Sequence, residues 1–209
     1  MKRRLGRPLQ SDAPETRERI LREAQLAFTT RGYDNTTNRE ISAGAGITAA
    51  AIYHYFPSKV DLFVAVYVDV QNKVYNAFDA AVAKHDTFLA QFDAIFVTMM
   101  ELGNEDPMLA SFVVGVVTEA EHHPDLREAL RKVPARNQSF LAALCTEAQQ
   151  RGDLPESLRV QTAVDVMAGV IGGFARLSVT VRDRARLIAV AKVYQNMARS
   201  ALSRTGASV

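Results

Sequence analysis

Residues 36–62 read TTNREISAGAGITAAAIYHYFPSKVDL, and their interpretation decides the fold. Thr36 and Thr37 offer hydroxyls suited to capping a short helix, whose Ile41 and Ala43 are expected to face inward. Ala45 and Gly46 follow as a tight turn that needs little side-chain room. Thr48 is a natural N-cap for a second short helix, which Ile52 anchors in the core. Tyr53, Tyr55 and Phe56 crowd its end, and Pro57 stops it. Two short helices joined by a turn of a few residues containing Gly form the helix-turn-helix pattern, in which the second helix enters the DNA major groove.

Working outward, Pro14 and Glu15 open a segment with Ile20, Leu21, Ala24, Ala27 and Phe28 at helical spacing, and Gly32 ends it. This first helix is expected to lay Ile20, Ala24 and Phe28 across the two short ones, giving them a core that neither has alone. Downstream, Ser58 and Asp61 make a start resembling a capping box for a long helix through Leu62, Phe63, Val66, Val70, Val74 and Phe78. No Pro or Gly interrupts residues 58–84, so this helix is expected to join two domains and to act as a lever on the first.

These residues resemble the DNA-binding domain of TetR-family transcriptional regulators. The resemblance rests on Ala27-Phe28-x-x-Arg31-Gly32-Tyr33, Thr36-Thr37, Ile41, Ala45-Gly46-Ile47-Thr48 and the run Ile52-Tyr53-His54-Tyr55-Phe56-Pro57-Ser58-Lys59. It covers 16–66, a quarter of the chain; the rest is compatible with the family in length and helical character only. It implies that Thr37, Tyr53, His54 and Lys59 grip phosphates, while 48–51 face bases. Hydroxyls and a Lys suit phosphate oxygens, which set the docking register before any base is read. Many family members carry a Lys or Arg and polar residues where this chain has Ala49, Ala50 and Ala51. Alanines touch thymine methyls but make no bidentate hydrogen bonds. Discrimination is therefore expected to fall on Asn38, Arg39, Thr48, Tyr53 and the N-terminal arm, with the Tyr53 ring packed and its hydroxyl at a phosphate.

Charge distribution agrees with a DNA-facing amino end. Net charge is only +2, yet residues 1–59 hold ten basic and six acidic side chains, and 60–209 hold fifteen and seventeen. Arg3, Arg4 and Arg7 fall in a basic arm, 1–13, that precedes the first helix. Arg4-Leu5-Gly6-Arg7-Pro8 partly resembles the Arg-Gly-Arg-Pro core of arms that enter narrow minor grooves, with Leu5 displacing the first Arg.

At 209 residues, 48% hydrophobic and 23% charged, the chain reads as globular. No apolar run reaches the roughly 18 residues of a membrane span, and the basic N-terminus lacks an apolar signal region, so a cytoplasmic location and no membrane partner are expected. One cysteine, Cys145, permits no internal disulfide and suits a reducing compartment. The expected architecture is all-α: a helix-turn-helix domain at 14–60 and a helical bundle at 61–209, about nine helices in all. Beyond the long helix, five more are expected near 87–103, 107–122, 124–151, 156–180 and 183–204, with a kink or break at Pro134.

Two further sites follow from the resemblance together with side-chain chemistry. Phe92, Phe96, Met99, Met100, Phe112, Val116 and Phe140 are the flat or flexible apolar side chains suited to a small, mainly apolar effector, with Glu119 a polar group to orient it. Val164, Met167, Ile171 and Phe174, with Gly169 and Gly173 allowing close approach, and Val190, Tyr194 and Met197 on the last helix, are expected to pair two copies as a four-helix bundle. A homodimer reading a double-stranded DNA operator follows.

Catalytic readings find little support. Glu119-x-x-His122 is half of a carboxylate-bridged metal motif with no second copy, so Glu119, His122 and His123 read as a solvated helix end. Cys145 sits in an apolar stretch and reads as a buried structural thiol, and no phosphate loop or nucleophile elbow occurs. No cofactor, metal or catalytic residue is expected. The rival reading is a helical small-molecule-binding protein or enzyme that keeps this fold without using it on DNA.

Overall fold

A computed structural model describes residues 12–205, and among them there are ten helices and no strand. The first, α1 (Asp12–Arg31), buries Ile20, Leu21, Ala24, Ala27 and Phe28. It ends where Gly32 adopts φ +78°, its amide bonding back to the Phe28 carbonyl. The second, α2 (Asn38–Gly44), begins at a full capping box: the Glu40 amide donates to Thr37 Oγ1 and the Thr37 amide to Glu40 Oε2. It closes in a Schellman motif, with Ile47 N–H on the Ser42 carbonyl, Gly46 N–H on that of Ala43, and Gly46 at φ +70°.

The third, α3 (Ile52–Tyr55), is shorter than the sequence suggests. Thr48 does accept a bond from the Ala51 amide, but 49–51 form a turn rather than a first helical turn. Ala43, expected inside, is exposed; Ser42 and Ala45 are buried instead, so the inward face of α2 is rotated relative to the expected one.

The long helix α4 (Lys59–Val82) starts at Ser58, whose hydroxyl accepts from the Asp61 amide and donates to the Asp61 carboxylate. Then come α5 (Phe88–Glu105) and α6 (Pro107–His122). The single helix expected over 124–151 is two, α7 (Pro124–Arg131) and α8 (Arg136–Gln150), because Pro134 cannot donate to a continuing ladder. Last are α9 (Val160–Thr180) and α10 (Arg184–Thr205). Gln149 holds the preceding loop by donating to the carbonyls of Pro155 and Leu158, which delays the start of α9.

Two compact units result. The first takes the chain up to Asp69 together with Thr118–Lys132; the second takes Val70–Val117 and the chain from Val133 onward. The boundary expected at residue 60 thus falls later, and the first unit recruits α7 from much further along the chain. In the first unit Phe28, Tyr33 and Phe63 form an aromatic cluster with centroids 4.9–5.9 Å apart, beside buried Ile41, Ile52, Phe56, Val66 and Leu126. The second is centred on Phe96, which is fully buried and meets Phe92, Phe174 and Tyr194. By length and composition alone α9 is long and apolar enough to cross a membrane, contrary to the expectation that no stretch is, and 28% of its most apolar window is buried.

Candidate nucleic-acid interface

The edge formed by 48–54 is open. Thr48, Ala49, Ala50, Tyr53 and His54 are all exposed, whereas Ile52 and Phe56 on the same segment are buried. This is the arrangement of a helix held by its inner side chains with its outer ones free for a groove. Tyr53 is 55% exposed, so its ring is not packed as expected but stands out with its hydroxyl. Arg39 is exposed on α2 and Asn38 half-buried, its Oδ1 covered and without a hydrogen-bond partner. Thr37 is exposed with its hydroxyl 2.9 Å from Glu40 Oε2, and these contacts with Thr37 hold the Glu40 carboxyl below its ordinary range. Arg3, Arg4 and Arg7 lie outside the described residues.

Lys59 departs from the expected pattern. Its ammonium donates to the Asp34 carbonyl at 3.3 Å and lies 4.4 Å from the centroid of Tyr33, so it is folded back onto its own unit. Partial burial lowers its pKa, with Asp34 and Glu119 opposing.

The same corner holds a feature the sequence did not disclose. Glu119 Oε1, on α6, accepts from the Tyr33 amide at 3.0 Å, and Glu119 Oε2 lies 3.4 Å from His123 Nε2. That imidazole also faces Asp34 Oδ1 at 3.6 Å and packs on the Tyr33 ring at 4.8 Å. The close approach depends on Gly32, where a Cβ would meet Glu119 Oε1 at 3.2 Å. Burial, aided by Asp125, Asp34 and Glu119, pushes the Tyr33 phenol up to about 12. Glu119 is therefore a tie to the α1–α2 turn and does not line the described cavity, and Glu119 and His123 are not a solvated end. His122 turns away, its Nδ1 2.7 Å from the Thr118 carbonyl. Among the described residues no group of three or more His, Cys, Asp or Glu side chains is arranged so that it could hold a metal ion.

In the second unit the expected effector residues Phe92, Phe96 and Phe140 are buried in the packed core, with Met99 and Met100 against it; Phe112 and Val116 are buried on α6. Of these only Phe140 lines the described cavity of about 400 Å³. Val82, Phe140 and Leu144 form its apolar part, and Asp79, Asp86, Glu147 and Arg151 its charged part. Cys145 is fully buried, which raises its thiol to about 11.

The expected pairing face also needs correction. Val164, Met167, Ile171 and Phe174 are buried within their own unit, where the core takes up that face of α9. Val190 and Tyr194 are partly buried against the same core and Gly173 is half-buried. Gly169 and Met197, both expected at the pairing face, are exposed, as is Val193 on the same apolar side of α10, and Val166, Gly172 and Val179 of α9 are exposed with them although the pattern pointed to none of these three. Apolar residues on both sides of α9 hid the distinction from periodicity alone.

Residues 20–66 match the family model described as bacterial regulatory proteins, tetR family, and 82–186, half the chain, match that of the tetracyclin repressor-like C-terminal domain. The chain belongs to the TetR family. Within it, the HTH-type transcriptional repressor BepR of Brucella suis biovar 1 (strain 1330) is 42% identical over 60 residues, which is 29% of each chain. The match therefore spans less than a third of that relative. Two solved structures share the TetR-family fold over nearly the whole chain. The transcriptional regulator FadR from Bacillus subtilis, in complex with stearoyl-CoA, has a TM-score of 0.75 at 19% identity, covering 87% of this chain and 96% of that one. Salmonella enterica GusR has a TM-score of 0.75 at 22% identity, covering 93% and 98%.

Proposed function

We propose that the protein is a cytoplasmic, homodimeric transcriptional regulator that represses from a palindromic operator and releases it when a small molecule binds the second unit. The observation that carries this reading is the open edge at 48–54 on an otherwise buried segment of a TetR-family head. Thr48 and Arg39 would supply hydrogen bonds to bases, Ala49 and Ala50 methyl contacts, and Thr37, Tyr53, His54 and the basic arm the phosphate contacts. Lys59 contributes charge to that face while remaining tied to Asp34.

A second copy would pair through the outward stripe Val166, Gly169, Gly172 and Val179 of α9 with Val193 and Met197 of α10. Six exposed positions that are apolar or lack a side chain, on two long helices, suit four-helix packing across a two-fold axis. The effector would occupy the cavity around Phe140. Its mixed lining favours a ligand with a polar end in addition to the apolar body expected earlier. The stearoyl-CoA held by FadR is a precedent for a ligand in this fold.

The test is a gel-shift with DNA from the protein's own upstream region at low salt and at roughly 200 mM salt. A shifted band that weakens with salt supports the reading, and no band at low salt overturns it.

A further inference from the structure

We propose that Arg17, on α1, is a phosphate-positioning residue of the DNA face, prearranged by Phe56. This rests on the DNA-binding reading and adds to it a residue that lies outside both short helices. Arg17 is exposed, and its guanidinium carbon sits 5.5 Å from the centroid of the Phe56 ring. Phe56 is the C-cap of α3, three residues beyond Tyr53 and two beyond His54, so the charge is held at the end of the reading segment.

Three other cations of this unit have partners within it. Arg19 donates to the Ala45 carbonyl and pairs with Glu15, Arg31 pairs with Glu40, and Lys59 is folded onto Asp34 and Tyr33. Among the described residues Arg17 has no carboxylate partner, although Glu15 and Glu18 are close in sequence. A guanidinium whose charge rests over a ring, with no carboxylate on its N–H groups, keeps those donors available for a two-point contact with phosphate oxygens. The ring also fixes the side chain beforehand, so less rotamer freedom is lost on docking. With Lys59 tied to Asp34, Arg17 adds an outward cation beside α3.

Arg17 could instead only shield the buried Phe56, so the test separates charge from packing. Full-length protein, Arg17→Gln and Arg17→Lys are titrated against one duplex the unaltered protein binds and one unrelated duplex, by fluorescence anisotropy across a salt series. Thermal melts are run alongside. Arg17→Gln is expected to bind both duplexes about tenfold more weakly and to lower the salt slope by about one, with Arg17→Lys recovering most of the slope. An unchanged slope and affinity for Arg17→Gln overturn the proposal while leaving DNA binding intact, as does equal loss in both variants with a lowered melting temperature. Failure of the unaltered protein to bind any duplex at low salt overturns the DNA reading itself, and the proposal with it.

Discussion

Replacing Glu119 with Ala should loosen the DNA-reading unit from a position 86 residues away from the bond it breaks. The carboxylate is a charged acceptor for the Tyr33 amide at 3.0 Å and lies beside His123 at 3.4 Å, so its loss leaves a part-buried N–H without its acceptor. Hydrogen bonds to charged groups contribute about 1.5–3 kcal/mol, and a side chain 24% exposed admits some water to compensate. The expected cost is about 1–2 kcal/mol, which lowers the melting temperature of a chain this size by roughly 2–8 °C. The sharper assay is native-state hydrogen exchange. Protection of the Tyr33 amide should fall by about tenfold, the equivalent of 1.4 kcal/mol, while amides in the second unit near Phe96 stay unchanged. Exchange at Tyr33 identical to that of the unaltered protein would show that the bond contributes nothing and would refute the reasoning.

Other perturbations separate the two units. Phe96→Ala empties a fully buried site ringed by Phe92, Phe174 and Tyr194 and should cost about 3–5 kcal/mol, read by urea unfolding. If the proposed pairing through α9 and α10 holds, Val193→Arg with Met197→Arg should lower the mass in light scattering from that of two copies to that of one with an unchanged far-ultraviolet spectrum, since both side chains are more than half exposed. The Tyr33 phenol is raised above its usual 10.0 to about 12, so folding favours its neutral form. Its contribution is fully present below pH 10 and is lost as pH rises through about 12; Tyr33→Phe should flatten that alkaline decline in a pH series of melts.

What was legible in the sequence was local. The hydroxyls at Thr37, Thr48 and Ser58 and the freedom at Gly32 and Gly46 act within a few residues, and each appears as a cap or turn. Pro134 marked a break for the same reason. What was hidden depends on distant partners. Nothing near Glu119 announces Tyr33, and nothing near Lys59 says that its ammonium turns back rather than outward. The apolar residues of α9 lie on two sides, so only the packed structure shows that Val164 and Phe174 face the core while Val166 and Val179 face out. Tyr53 is ambiguous by sequence because an aromatic at the end of a short helix suits a core and a groove equally well. Its neighbours Ile52 and Phe56 fill the core, which leaves Tyr53 outside.

The most direct test of DNA reading by two joined heads is selection from a random duplex pool with the full-length protein. The account predicts enrichment of an inverted repeat, one half-site per head, with the preference shifted by replacing Thr48 and merely weakened by replacing Arg17. A pool that stays random after repeated rounds, or a single unrepeated half-site, would contradict it.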